Sequence, residues 1–563
     1  MAIPSISQGV KAWGAAIKED LRVEPSEADQ RWSNKDLEPT PPERRVYHWY
    51  NYLLYFIGTG FNNWSGGSSV IGVGLGWKAA IAITFVANII AGMAVAANCK
   101  AAARYHIGFP AIARSVYGMW GSSYQVGVRA ILAAVWYATQ IYSGASYLGV
   151  MLTAVFGTHF TSIPNHVPAS IGYTTQDFLC YFLVWLIYLP LLLRRPHQMR
   201  WLFAVACALS FPSILALFIY CMVQSGGRIS LDDQFGSSSA TLSTTSQRAW
   251  QVVYALTSTI SNGSPYIESI PDMARWAHSP LSPIPTTLFT NSVFNPLSAV
   301  LGILGTSALQ VAIGQTLWTP WDVMTYMLEQ HTSTAGRFGV FCLAFTWLFQ
   351  TLSQNVSSNM IPFGADTSML WPRYINMTRG YLIVHFLAWV ICPWKIYASA
   401  ETFLDFMGAY GIFMGPAISI MLCEYYVFSR GNLFVPSLYD GRGATNKHYW
   451  YTGGWNIQAY IAYIVAVGLC FIGFVNKVGA TVPQVGIELG YLGWFLTFST
   501  GWIVYYVVVK VWPHQNVQYT KNLKWEELAA TDYGVQGVLH GVPSYPSDEE
   551  ERQESEEGGI KSS

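Results

Sequence analysis

The chain has 563 residues, of which 52% are hydrophobic, 15% aromatic and only 11% charged, with a formal net charge of zero. A soluble domain carries about 25% charged residues, so the composition excludes a soluble globular fold, and with no basic excess it offers nucleic acid nothing to hold. What remains is an all-α polytopic membrane protein in contact with the lipid bilayer.

Residues 1–45 form a polar arm with no apolar run. The first membrane span is therefore expected to act as the signal, with no cleaved leader, and the arm to stay in the cytoplasm. A helix needs ~20 apolar residues to cross the hydrocarbon. Such runs lie at 50–73, 79–97, 128–156, 176–193, 201–223, 250–270, 294–316, 338–361, 380–397, 403–428, 456–475 and 487–512. They make a transporter domain over 46–513, and twelve spans return the C-terminus to the cytoplasm. Lys and Arg in the loops expected inside, among them Arg114, Arg129, Arg194, Arg195 and Arg275, outnumber those expected outside about two to one, as the positive-inside rule requires. The sequons at Asn63, Asn262 and Asn355 then fall within spans and that at Asn376 faces the cytoplasm, so none is expected to carry glycan. The eight cysteines lie in or beside apolar runs without CxxC spacing and read as packing residues.

Span one is interrupted by a polar, glycine-rich stretch that includes Gly60, Phe61, Asn62, Asn63, Gly66 and Gly67. Span six carries Ser261, Asn262, Gly263, Ser264 and Pro265 at a matching depth. Two broken helices in corresponding places, five spans apart, are the pattern of a five-plus-five inverted repeat that binds its solute where the backbone is exposed. In span three, Trp136 and Gln140 stand i and i+4 on one helical face. A flat heterocycle needs both a π face, worth about 1–3 kcal/mol in base stacking, and a carboxamide that donates and accepts in one plane. Close packing of glycines and a core role for the tryptophan are the plainer alternatives.

Span eight reads LFQTLSQNVSSNMIPFGAD and places Thr351, Asn355 and Asn359 at i, i+4 and i+8. An unpaired amide in hydrocarbon costs about 1–3 kcal/mol, so this face is expected to look at a polar object, here a small planar solute. Asp366 is the nearest acid and a candidate proton carrier, with capping of span eight beside Arg373 as the alternative. Asp272 and Arg275 are expected to pair with each other or with loop charges, while Glu268, one turn deeper, has no local base. The tail, 514–563, ends in the acidic run Asp548–Glu557. Both arms read as solvated and disordered, or as regulatory segments offering Lys521, Lys524 or Lys561 to ubiquitin-ligase or trafficking adaptors.

The motifs NKDLEPTPPERR, FNNWSGGSS, GLGWKAA, HIGFPAIARSVYG, WYATQIYSG, IPDMARWA, NVSSNMIPFGADTSMLWPRYINMTRG and LCEYYVFSRGNLFVPSLY resemble the fungal Fur-type branch of the nucleobase cation symporters, the family of uracil, allantoin and uridine permeases. The resemblance runs from Asn34 to Pro513. It implies twelve helices with ten in the LeuT-like inverted repeat, and proton-coupled import of purine- or pyrimidine-related solutes across the plasma membrane. It also implies that Trp136 stacks the solute, that Gln140 and Asn359 hydrogen-bond it, that Phe61–Asn63 lines its slot and that Asp366 is the associated acid. Gln354, Ser358 and Glu268 depart from the family pattern. Gln350 and Gln354 stand where small or hydroxyl residues ligate sodium in bacterial relatives, so a proton is the expected coupling ion, with no metal and no cofactor. Alternative substrates in the same fold are thiamine, nucleosides or nicotinamide riboside, with Glu268 as a counter-charge; a non-transporting nutrient sensor is a third reading. No nucleophile–base pair or metal cluster points to an enzyme.

Overall fold

In lipid every backbone polar group must be satisfied within its own segment, which leaves the helix as the default for each apolar run. The computed structural model describes residues 18, 20–24, 31–60, 63–72, 74–229, 245–443 and 445–530, and among them the only β pairing is two isolated bridges. The α-helices of six or more residues are α1 (Trp49–Gly60), α2 (Trp64–Gly72), α3 (Trp77–Tyr105), α4 (Phe109–Tyr117), α5 (Ser122–Phe156), α6 (Thr175–Leu192), α7 (Arg200–Gln224), α8 (Thr245–Ala274) and α9 (Ile284–Ile313). They continue as α10 (Pro320–Gln330), α11 (Thr334–Asn355), α12 (Ile361–Leu370), α13 (Met377–Leu387), α14 (Ala400–Cys423), α15 (Ile457–Lys477), α16 (Gln484–Val511) and α17 (Gln515–Thr520). Among the described residues eight helices are long and apolar enough to cross a membrane. The expected spans absent from that set are one, three, six and nine. Span nine falls short because its helix stops at Leu387 and resumes only as a 3-10 turn at Pro393–Lys395. Spans one, three and six carry the polar residues of the candidate site.

The expected interruption of span one is present: α1 ends at Gly60 and α2 begins at Trp64. Phe61 and Asn62 lie outside the described residues. Span six is a correction, since α8 runs from Thr245 to Ala274 as one helix through Gly263, Pro265 and Pro271. Membrane helices tolerate proline where neighbours re-satisfy the freed groups. Pro271 has no N–H for the carbonyl of Ile267, and the Asn98 amide from α3 donates to that carbonyl at 2.7 Å. Span eight does depart from the α form: Val356–Met360 is a π turn between α11 and α12, a distortion that often marks function.

α2 docks on α9 through glycines. The fully buried ring of Trp64 lies over Gly302 and Gly305, and a Cβ on Gly302 would fall 2.8 Å from the Trp64 carbonyl oxygen. Because the obstruction is backbone, Gly302→Ala is expected to cost about 1–3 kcal/mol through overpacking. A thermal unfolding scan in detergent should show the lowered midpoint.

The arms are a further correction. Where described, the N-terminal arm is packed: Trp32, Asn34, Leu37 and Thr40 are buried. Asn34 Nδ2 donates to the carbonyls of Pro372 and Ile375, and Arg379 Nε to that of Leu21. At the other end, α17 buries Asn516 and Thr520 against Ser429 and Phe428. The acidic run and Lys561 lie outside the described residues.

Candidate functional site

A cavity of about 160 Å³ lies between α1, α2, α3, α5, α8, α9 and the π turn, closed by Trp321, Tyr397 and Phe403. Trp136, Gln140, Asn63, Gly263 and Asn359, chosen from sequence, all line it. Trp136 is 9% exposed, and its ring meets Phe403 and Phe406 with centroids 6.2 and 5.7 Å away. One turn on, Gln140 is buried, and its Oε1 has no hydrogen-bond partner among the described residues. Gly66 makes room for two more amides. A Cβ there would fall 2.3 Å from Asn63 Oδ1 and 3.4 Å from Asn262 Nδ2.

Asn355 lies behind the cavity wall, not in it. Its Nδ2 donates to the Tyr137 carbonyl and to Tyr188 Oη, both at 3.1 Å. A carbonyl can only accept, so the amide orientation is fixed: Asn355 Oδ1 must accept, and Asn359 Nδ2 donates to it at 2.8 Å. This relay leaves the Oδ1 of Asn359 as the acceptor offered to the cavity. Asn355 is therefore a positioning residue.

A second relay of the same construction stands on α9, and the sequence reading missed it. Asn291 Nδ2 donates to the Thr287 carbonyl at 2.8 Å, and Asn295 Nδ2 donates to Asn291 Oδ1 at 2.8 Å. Asn295 Oδ1 is buried without a hydrogen-bond partner among the described residues, and both asparagines line the cavity. Gly60 is what admits it, since a Cβ there would fall 1.9 Å from that oxygen. The signal was in the sequence: two amides four residues apart in an apolar run, as in span eight.

Asp366 and Glu268 lie outside the cavity lining, in a buried charge cluster. Arg129 from α5, counted as a loop charge from sequence, is its centre. Its Nε donates to both Asp366 oxygens at 3.1 and 2.8 Å, and its Nη2 contacts Asp366 Oδ1 and, at 2.8 Å, Asp272 Oδ2. Its Nη1 donates to the Glu268 carbonyl at 2.9 Å, and its guanidinium lies 3.9 Å over the Phe109 ring. Asp272 also accepts from Phe109 N at 3.0 Å, where a Cβ on Gly108 would fall 2.6 Å from its Oδ1. Arg373 is exposed and is not the partner of Asp366. Arg275 turns instead to the N-terminal arm, donating to Thr40 Oγ1 at 2.8 Å, to the Asp36 carbonyl at 2.9 Å and to the Glu38 carbonyl. Glu268 Oε1 is buried with no hydrogen-bond partner among the described residues. Gln350 is likewise occupied, donating to Ser213 Oγ at 2.8 Å.

The model of a protein family described as permease for cytosine/purines, uracil, thiamine and allantoin matches residues 39–497. The allantoin permease of Saccharomyces cerevisiae is 31% identical over 486 residues, which cover 85% of this chain and 76% of that protein. The uracil permease of the same yeast is 29% identical over 486 residues, 85% of this chain and 76% of that one. Among solved structures, Mhp1, a nucleobase-cation-symport-1 family transporter in a closed conformation with bromovinylhydantoin bound, superposes with a TM-score of 0.65 over 87% of this chain and 99% of that chain. At 17% identity that likeness is one of fold.

Proposed function

We propose a specific activity on this premise: the chain belongs to the family of permeases for cytosine/purines, uracil, thiamine and allantoin. It is a multi-pass membrane permease, not an enzyme. Its solutes are heterocycles of the uracil, allantoin and uric acid class, imported across the plasma membrane by alternating access. The observation that carries this proposal is the cavity itself. Its size, about 160 Å³, is comparable to the roughly 150 Å³ that accommodates a benzene ring. Its walls supply two indoles, Trp136 and Trp321, and several carboxamides for the edges of a ring. Among the described residues no carboxylate or lysine lines it, which favours a neutral solute over a cationic vitamin such as thiamine. In this scheme Trp136 stacks the solute, Gln140 and Asn359 bind its edge, Asn355 holds Asn359, and Phe61, Asn62, Asn63 and Gly263 complete the slot.

Twelve spans in a five-plus-five repeat, with both termini cytoplasmic, are part of the same proposal, and so is the availability of the exposed Lys521 and Lys524 to trafficking adaptors. The coupling ion is a proton. Two buried carboxylates, Asp272 and Asp366, pair with one guanidinium, which also holds the backbone carbonyl of the buried Glu268, and a proton taken up by this cluster would neutralise part of its negative surplus. The membrane potential supplies about 2.3 kcal/mol per charge per 100 mV, enough to concentrate a neutral solute many-fold.

Radiolabelled solutes offered to cells lacking their own carriers provide the test. Accumulation of at least one of uracil, allantoin and uric acid is expected, competed by its congeners and not by thiamine. It should collapse with a protonophore and survive replacement of sodium by choline. Thiamine uptake, or loss of uptake in choline, would overturn the solute or the ion respectively.

A further inference from the structure

Two relays face one cavity. In each, the outer asparagine is anchored on a backbone carbonyl, which fixes both amide orientations without ambiguity. In each, the inner asparagine donates one N–H to the outer one, which turns its Oδ1 away from that partner and leaves Oδ1 and the second N–H for other partners. The sources differ: Asn359 comes from the π turn of span eight, Asn295 from the middle of α9. Both line the same cavity of about 160 Å³. A buried amide oxygen left without a donor costs about 1–3 kcal/mol, and Asn295 Oδ1 has none among the described residues. A ring N–H reaching this oxygen would recover that cost. Gly60 packs against this oxygen, where any side chain would collide with it.

We propose that Asn295 is a second acceptor for the transported ring, opposed to Asn359, and that the cavity therefore selects solutes bearing ring N–H groups on two separate edges: cyclic ureides and imides. This rests on the heterocycle-permease assignment and narrows it. A ring with a single N–H, or with one of its two N–H groups alkylated, leaves an acceptor unpaired. Gln140, free at Oε1 and carrying an amide nitrogen, can then face a ring carbonyl from the span-three wall.

Purified full-length protein in detergent, titrated with uracil, hydantoin and their singly N-methylated derivatives, tests this in a mutant cycle. With the unaltered chain, each N-methyl derivative of the ring that binds should be about ten-fold or more weaker than its parent. In Asn295→Ala the parent weakens, and the penalty for one methyl isomer disappears. In Asn359→Ala the penalty for the other isomer disappears. A residue that merely packed the wall would weaken parent and derivatives equally, and that result would overturn the inference while leaving the permease assignment intact. An Asn295→Ala protein that binds the parent ring as tightly as the unaltered chain would overturn it too. If neither uracil nor hydantoin binds the unaltered chain, the ureide class falls, and the uptake panel decides separately whether the wider assignment falls with it.

Discussion

Arg129→Met should yield almost no folded protein: little monodisperse material on size exclusion after detergent extraction, and retention of a tagged version inside cells. The guanidinium is buried between carboxylates of two different helices, Asp272 on α8 and Asp366 on α12, and also holds the Glu268 carbonyl. Removing one member of a single buried ion pair costs about 3–5 kcal/mol because the partner is stranded. Here two carboxylates are stranded at once, against a total stability of about 5–15 kcal/mol for an ordinary domain. Replacement of all three groups, as Arg129→Met with Asp272→Asn and Asp366→Asn, should restore much of the yield, since an uncharged set leaves no unpaired ion. Recovery of normal amounts of folded protein from Arg129→Met alone would mean the cluster is open to water. Arg373→Gln, on an exposed residue near the same end of the bundle, is expected to change nothing.

Asn359→Ala should abolish uptake, by about two orders of magnitude or more, while the protein still reaches the cell surface. The substitution removes the acceptor that the relay presents and leaves Asn355 Oδ1 without its donor. A buried acceptor of that kind costs about 1–3 kcal/mol, which weakens the protein without unfolding it. Loss of a polar group that a site is built to use is punished far more heavily in transport, because the solute then leaves its own N–H unpaired in a buried site. Surface biotinylation beside initial-rate uptake separates the two effects. Normal transport by a correctly sorted variant would remove Asn359 from the site.

The twelve apolar runs and the amides immersed in them were legible in the chain, because hydrocarbon length and the cost of an unpaired amide are local rules. Trp136, Gln140, Asn63, Gly263 and Asn359 came from those rules and meet in one cavity. Asn291 and Asn295 obey the same rule, but the expected run of span seven starts at 294 and leaves Asn291 outside it, whereas the helix begins at Ile284 and carries both. Arg129 was misplaced for a different reason. Its helix begins at Ser122, well before the apolar run at 128, so a basic residue at the edge of the run read as a loop charge. Only the tertiary partners, more than a hundred residues away in sequence, reveal it as buried. The motifs HIGFP, IPDMARWA and PFGAD could each be recognised, yet nothing in any of them says that Phe109, Asp272 and Asp366 converge on one guanidinium. The break expected in span six at Ser261–Pro265 does not form, since α8 is continuous there; further along, the carbonyl freed by Pro271 is re-satisfied from another helix, which no local pattern encodes.

The bond from Asn98 to the carbonyl of Ile267 reaches beyond mere satisfaction of a stray acceptor. It fastens α3 to α8 at the level of Pro271, one of two prolines inside α8, turning a prospective elbow into a splint. Any tilt of α8 during the transport cycle then has to carry α3 with it as a single lever, and the wall formed by Asn88, Ala91 and Asn262 travels intact instead of shearing apart.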